Sequence, residues 1–367
     1  MRICHICSNF DNFFIDFMNE EKKQNIDFRV FCFGSKEKGC PQVEKSYLDK
    51  RLNFHNWQRY IFFLKENLVL KDFINLYDHE NFDMYHAHTL FSNGYLAYRM
   101  NKINGKPYVV AVRDTDLNVF FKLRPYLRKI GVNILKNATK IIFISKNYKS
   151  ELFSKYVPTK YISDFEAKSM VIPNGINDFF HRNSFLKVED KYDAQNFNVV
   201  TVGWVSKRKN QLSVAKAINK LNNIGFNIKY TVIGKAKSKK IDDALRKFDF
   251  VERVPFTQQE NLLQYYRNAQ VFAMPSLTET FGLTYIEAMS QSLPVVYSKG
   301  QGIDGYFKDG EVGYSVNSTD IDEIANALPK IVENSPKLRN NCYYASSKFD
   351  WKKIVKQYKK IYKVVLN

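Results

Sequence analysis

No apolar run in this chain approaches the ~18 residues needed to span a bilayer; IIFI and VVAV are strand-sized. No secretory leader is expected either. MRICHICSNF enters a strand-like segment directly, so a cytoplasmic protein is expected. Cysteine is scarce and odd in number, five in 367 residues, which argues against a disulfide framework. Cys4 and Cys7 form a Cys-x-x-Cys around His5. A zinc or redox site there needs a second ligand pair or a following helix start, and CHICS reads instead as a first strand. Acids are the other shortage: 37 Asp and Glu against 56 Lys and Arg, a formal charge of +19. Such a balance suits polyanions, whether nucleic acid, anionic headgroups or phosphorylated substrates. A chain-wide bias toward Lys, Asn, Ile, Tyr and Phe accounts for much of the excess equally well.

What the chain does have is core. Hydrophobic residues make up 45% and aromatics 15%, enough for each of the two domains that 367 residues imply. Short apolar runs alternate with amphipathic segments throughout, the signature of βα units and parallel sheets. In the first half, strands are predicted at Arg2–Cys7, Phe28–Phe33, Met84–Ala87, Tyr108–Val112 and Ile141–Ile144. A polar break follows at IPNGINDFFHRNSFLKVEDKYDAQNFN, where Asn174-Gly175 signals a turn. The pattern restarts with NVVTVGWV, a helix from about Gln211 to Asn222, and strands at IKYTVIG, VFAMPS and LPVVYS. The fold class is therefore α/β, two open sheets in tandem. Ligands of such sheets bind beyond the carboxyl ends of the strands, so the residues just after each strand bear on function. FDWKKIVKQYKKIYKVVLN closes the chain as a basic amphipathic helix, with Trp351, Ile354, Val355, Tyr358 and Tyr362 on one side.

Two stretches can carry chemistry. In VGWVSKRKNQLSVAKAI a strand ends at Gly203, a basic loop follows, and a helix starts near Gln211. Lys207, Arg208 and Lys209 beside a helix N-terminus suit a diphosphate, although a solvated turn has the same composition. In MPSLTETFGLTYIEAMSQSLPVV, Glu279 lies in a strand-to-helix loop and Glu287 about a turn into the helix. Gly282 lets a sugar or phosphate approach the backbone, where the N–H groups of Phe281, Gly282 and Leu283 can donate to it. A carboxylate at Glu287 can accept from both hydroxyls of a ribose. The competing reading is local: Thr284-x-x-Glu287 matches a capping box, with Glu279 a loop acid favourable to the helix dipole. Pattern alone leaves the two even.

SLTETFGLTYIEAMSQSLPVV followed by GQGIDGYFKDGEVGYSV resembles the donor-binding segment of retaining glycosyltransferases of family 4, whose fold is GT-B. The family's Glu-x7-Glu falls on Glu279 and Glu287. MYHAHT resembles its His-x-His strand end, VIPNGIND its interdomain connection, VGWVSKRKN its phosphate loop and FDWKKIVKQY its closing helix. The resemblance thus covers nearly the whole chain, with the motifs in the family's order. It implies two Rossmann-like domains with parallel sheets facing across an interdomain cleft. Residues 1–180 would bind the acceptor and 181–348 the nucleotide sugar, with 349–367 a helix crossing back onto the first domain.

The resemblance also implies roles. Glu279 supports charge at the anomeric carbon, Lys209 stabilises the departing diphosphate, and His88 faces the reaction centre. Glu287 holds the ribose, the amides of Phe281, Gly282 and Leu283 touch sugar and phosphate, and the backbone near Arg253 and Val254 meets the base. No metal and no other cofactor is implied. Trp204 stands where the family usually has Arg after Gly203, so Arg208 or Lys207 is expected to supply that charge. SNFDNFF replaces a Gly-Gly loop common in the family, so the acceptor is not carried over.

Asp114-Thr115-Asp116 looks like the Asp-x-Asp of the other glycosyltransferase fold but follows a strand of this one. Acceptor hydrogen bonding by Arg113, Asp114 or Asp116 is the expectation in place of a metal. The run Phe120, Phe121, Lys122, Arg124, Tyr126, Arg128 and Lys129 reads as an interfacial helix or as a half-buried one with a solvated basic side. His5, His55, His79 and His181 show no ligand spacing, and His86 is expected to point away from the site.

The expected function is a retaining transfer from a nucleotide diphosphate sugar to a glycan acceptor, lipid-linked and part of bacterial surface polysaccharide synthesis. The enzyme would sit in the cytoplasm, peripheral on the inner membrane surface, with no nucleic acid as partner. Rival readings are another GT-B enzyme, an epimerase or phosphorylase, or a non-catalytic accessory subunit.

Overall fold

Thirteen strands form two separate parallel sheets in the computed structural model, which describes residues 1–8, 10–39, 43–187 and 193–367. Met1–Pro173 with Trp351–Asn367 make one unit and Asn174–Asp350 the other. In the first, β1 (Arg2–Cys7), β2 (Asp27–Ser35), β3 (Leu48–Phe54), β4 (Met84–Ala87), β5 (Tyr108–Val112), β6 (Lys140–Phe143) and β7 (Ser169–Val171) lie in the order 3-2-1-4-5-6-7. In the second, β8 (Asn196–Val202), β9 (Asn227–Ile233), β10 (Val251–Val254), β11 (Val271–Ala273), β12 (Val295–Ser298) and β13 (Gly313–Val316) lie in the order 10-9-8-11-12-13. Each order turns back beside its first strand, β1 or β8, and the carboxyl ends there form the crevice in which such sheets bind ligands.

The central strands β1, β4, β5 and β12 are buried along almost their whole length, as continuous apolar runs require in a sheet covered on both faces. The strands that the periodicity did not indicate are β3, β7, β10 and β13, each at or next to a sheet edge. β3, LDKRLNF, is charged and half-exposed, which blunts an edge but erases the apolar signal.

The boundary between the units falls at Pro173, earlier than the predicted 180. Residues after it already belong to the second unit: Ile176 bridges Asp350 and donates its N–H to the Phe349 carbonyl. Part of the predicted polar break, 188–192, lies outside the described residues, as does Asn9 of SNFDNFF. The closing helix, Trp351–Leu366, belongs to the first unit, where it buries Trp351, Ile354, Val355, Tyr358, Ile361, Tyr362 and Val365 beside the helix Asn12–Lys23. At about 1.5–3 kcal/mol per fully buried large apolar side chain, that stripe anchors the chain's end. Among the described residues, no helix is long and apolar enough to cross a membrane.

Candidate active site

The second unit gathers its polar side chains where β8 and β11 end. After Val202 the chain passes Gly203 and Trp204, then makes a 3-10 turn, Lys207–Lys209, before the helix Gln211–Asn222. Asn210 joins turn and helix at φ 61, and its side-chain amide donates to the carbonyls of Pro275 (2.9 Å) and Ser318 (2.6 Å). That clamp ties the basic turn to the exit of β11. Lys209 is thereby buried, its Nζ 2.6 Å from Glu279 Oε2 and 3.5 Å from Met274 Sδ. Burial pushes its ammonium below the usual range, while the Glu279 carboxylate pulls it back up. The solvated-turn reading holds for Lys207 and Arg208, which are exposed, and fails for Lys209. Arg208 Nη1 nonetheless donates to the Thr278 carbonyl and lies 3.7 Å from Glu279 Oε2, a second cation near that carboxylate.

Glu279 is held on every side. Its N–H donates to Gln301 Oε1 (3.0 Å), its carbonyl accepts from Gly302 N, Oε2 also accepts from Ser276 Oγ, and Oε1 accepts from Thr280 N. The helix begins at Leu283, with Gly282 before it at φ 83. A Cβ at Gly282 would stand 2.4 Å from the Tyr285 ring in a left-handed conformation, so only glycine serves. Thr284 makes no cap: its Oγ1 reaches Met274 Sδ, and Glu287 lies a full turn inside the helix. The capping-box reading is thus set aside. The N–H groups of Phe281, Gly282 and Leu283 donate to no described residue, leaving them open to an anion. Glu287 accepts from the Tyr266 hydroxyl at 3.2 Å, and removal from water pushes its carboxyl up to about 7, against the pull of that bond and of Lys209.

Beside this constellation lies a cavity of about 230 Å³ lined by Gly203, Trp204, Gly234, Lys235, Phe256 and Leu262 among others. Gly234 is obligatory, because a Cβ there would come within 2.2 Å of the Gly203 carbonyl oxygen. The flat aromatic walls and bare backbone suit a planar heterocycle. Sequence reasoning missed Phe256, Gly234 and Lys235, which no motif marks, and met Trp204 only as a departure. Lys237 Nζ sits 4.3 Å above the Trp204 ring. The backbone near Arg253 and Val254 is expected to meet the base, and the structure shows what their other groups bond. The Arg253 guanidinium is consumed by Asp242 and by the carbonyls of Val232, Gly234 and Val254, and the Val254 carbonyl also takes the Gly234 N–H. Arg253 braces the strand ends.

In the first unit, His88 follows β4 and is almost fully buried. Two expectations fail there. His5 pairs in register with His86 across β1 and β4, and the ladder continues past Ala87 because His88 N–H donates to the Ile6 carbonyl. His86 and His88 therefore share a face, rings 4.1 Å apart, and all three imidazoles bring a nitrogen within 4.8 Å of one another. So His5 does have ligand-like spacing and His86 does not point away. Of the acceptor candidates, Arg113 Nε donates to the His88 carbonyl at 3.3 Å, and Asp114 Oδ1 accepts from Asn118 and Tyr148. Asp116 is buried and accepts the N–H groups of Leu90, Phe91 and Arg113; it shapes the loop after His88. Cys4 and Cys7 lie within β1 as buried free thiols.

Comparison with known proteins follows the two units. The model described as Glycosyltransferase Family 4 matches residues 12–178, and that described as Glycosyl transferases group 1 matches 183–349. The chain is 26% identical over 287 residues to the alpha-monoglucosyldiacylglycerol synthase of Acholeplasma laidlawii, covering 73% of this chain and 71% of that one. Its structure resembles the apo lipopolysaccharide outer core galactosyltransferase WaaB (TM-score 0.74, 16% identity, 98% of each chain). It also resembles Anabaena Alr3699/HepE in complex with UDP (TM-score 0.73, 15% identity, 99% of this chain and 100% of that).

Proposed function

We propose a function from one premise: the chain belongs to glycosyltransferase family 4 and is a glycosyltransferase of GT-B fold. It moves a sugar from a nucleotide diphosphate sugar to a lipid-linked glycan, with retention at the anomeric carbon, in bacterial surface polysaccharide synthesis at the cytoplasmic membrane face. The second unit binds the donor. The first binds the acceptor and presents His88.

The observation that carries this reading is the buried Lys209–Glu279 pair beside unused amides and an aromatic-walled cavity. A diphosphate arriving at the open N–H groups takes over Lys209 and Arg208 and frees Glu279 to face the sugar. Positive charge developing at the anomeric carbon is then met by a fixed carboxylate, and the leaving diphosphate by fixed cations. This reading routes neither step through a metal. The UDP complex of a structural neighbour and the glycolipid and lipopolysaccharide products named for relatives support this choice of donor and setting.

Nucleoside diphosphate binding, measured by calorimetry, tests the donor site through Glu287. Glu287→Gln is expected to weaken binding by roughly 1.5–3 kcal/mol, tenfold to over a hundredfold. Ribose hydroxyls donate to the ionised carboxylate, and the free protein's carboxyl titrates at about 7. Affinity in the parent should therefore fall as pH drops below 7, by up to tenfold per unit, and the variant should lack this step. A variant that binds as the parent does at every pH would remove Glu287 from the site.

Membrane docking rests on a revised surface. The run at 120–129 is no single helix: Phe121 is buried, Phe120 stacks on Phe91, and the Arg128 guanidinium donates to the Phe121 carbonyl. Leu123 and Tyr126 are 67% and 62% exposed, with Lys122 and Lys129 exposed beside them. A second segment presents Trp57 and Tyr60, 56% and 79% exposed, and meets the first where Phe62 packs near Phe120. Replacing Lys122, Arg124 and Lys129 by Gln should weaken binding to anionic vesicles by about 1 kcal/mol per residue. Unchanged binding would make this a merely solvated face.

A further inference from the structure

One buried carboxylate lies at the root of the three histidines. Glu21 is fully buried, with Oε2 2.8 Å from His5 Nε2 and Oε1 2.9 Å from the Tyr362 hydroxyl. Neither Glu21 Oε2 nor His5 Nε2 makes a hydrogen bond of good geometry to any described residue, so this close contact is what each atom has. A carboxylate can only accept, so a proton on His5 Nε2 avoids two facing lone pairs. Tyr362 likewise turns its hydrogen to Glu21, and its oxygen accepts from His86 Nδ1 at 2.8 Å. His86 thus carries its proton on Nδ1, in keeping with an Nε2 that has no partner among the described residues. His5, protonated on Nε2, offers a bare Nδ1 to His88 Nε2 at 3.0 Å, so His88 must be the donor.

We propose that Glu21 and His5 are positioning residues that lock His88 as a neutral imidazole with its proton on Nε2 and an unprotonated Nδ1. The inference rests on the reading of His88 as a residue of the reaction. Charge argues for the neutral pattern. Burial and the Arg113 guanidinium, which bonds the His88 carbonyl, both disfavour an imidazolium at His86 or His88. What His88 can offer is then an acceptor lone pair on Nδ1, which bonds no described residue. It suits a substrate hydroxyl and rejects a group that only accepts.

Ring-nitrogen NMR of the full chain labelled with ¹⁵N-histidine reads the pattern directly, since the two nitrogens of each tautomer resonate apart. The expected result is Nε2–H on His5 and His88 and Nδ1–H on His86. In Glu21→Gln the side-chain amide can donate to His5 Nε2, which drives the proton to His5 Nδ1 and inverts His88. Turnover should then fall about tenfold or more, with nucleoside diphosphate affinity unchanged because that site lies in the other unit. Glu21→Asp, which restores an acceptor, should recover both the tautomer and part of the rate. Tyr362→Phe should alter His86 alone.

An imidazolium at His5 or His88, an Nδ1–H on His88 in the parent, or lost turnover in Glu21→Gln with the tautomer intact would each overturn the proposal. So would a stoichiometric metal on the three imidazoles, found by elemental analysis and removed by chelator with a change in shifts. If His88→Ala turns over like the parent while the shifts hold, His88 has no part in the reaction, and the proton pattern stands by itself.

Discussion

Glu279→Gln is expected to lower turnover about a hundredfold or more while leaving nucleoside diphosphate affinity undiminished. The carboxylate sits under the 2.6 Å contact with Lys209, positioned by Gln301, Gly302, Ser276 and Thr280. Gln keeps the volume and much of the hydrogen bonding but removes the charge that a sugar cation would need. In the free variant Lys209 loses its counter-ion in a buried place, and breaking a buried pair from one side costs roughly 3–5 kcal/mol. Thermal stability should drop accordingly, and a saturating nucleoside diphosphate, which restores a negative partner, should raise it more in the variant than in the parent. Binding does not weaken, because the ligand no longer competes with Glu279 for the ammonium. Calorimetry, a melting curve and initial rates distinguish this from an ordinary loop acid, which would leave turnover near the parent value.

Lys209→Met should fail in both respects. Met keeps the length of the side chain and its contact with Met274, but the diphosphate loses a buried charged donor. Loss of affinity by roughly 1.5–3 kcal/mol, tenfold to over a hundredfold, is expected. A further fall in turnover of about a hundredfold follows if the ammonium also steadies the leaving group as its charge grows. Arg is no safe replacement, because a planar fork does not fit a pocket built around a point charge between Glu279 and Met274. Full binding and full turnover in Lys209→Met would place the diphosphate elsewhere.

The chain's order of residues was enough to determine the class of fold and the shape of the donor segment. Arg2–Cys7, Met84–Ala87, Tyr108–Val112 and the helix Gln211–Asn222 appear where the apolar pattern placed them. A strand buried on both faces must be a continuous apolar run, and a helix with one buried side must repeat every three or four residues. Glu279 and Gly282 stood out through the family resemblance, since pattern alone left them even with a capping box. Each occupies a loop after a strand, where the backbone demands are local and glycine and acid carry distinct chemistry.

Tertiary structure decided everything that depends on neighbours distant in sequence. It put charged edge strands such as β3 into a sheet that their composition conceals, because pairing, rather than burial, holds them. It chose Lys209 over its two exposed neighbours by folding Asn210 onto Pro275, and it gave the Arg253 guanidinium and the Asp116 carboxylate partners within their own units. Above all it joined Glu21, His5, His86, His88 and Tyr362, residues spread from the first strand to the last helix. Only the β1–β4 register and the packing of the closing helix bring them within hydrogen-bond reach, and no spacing in the sequence encodes a register between strands some eighty residues apart.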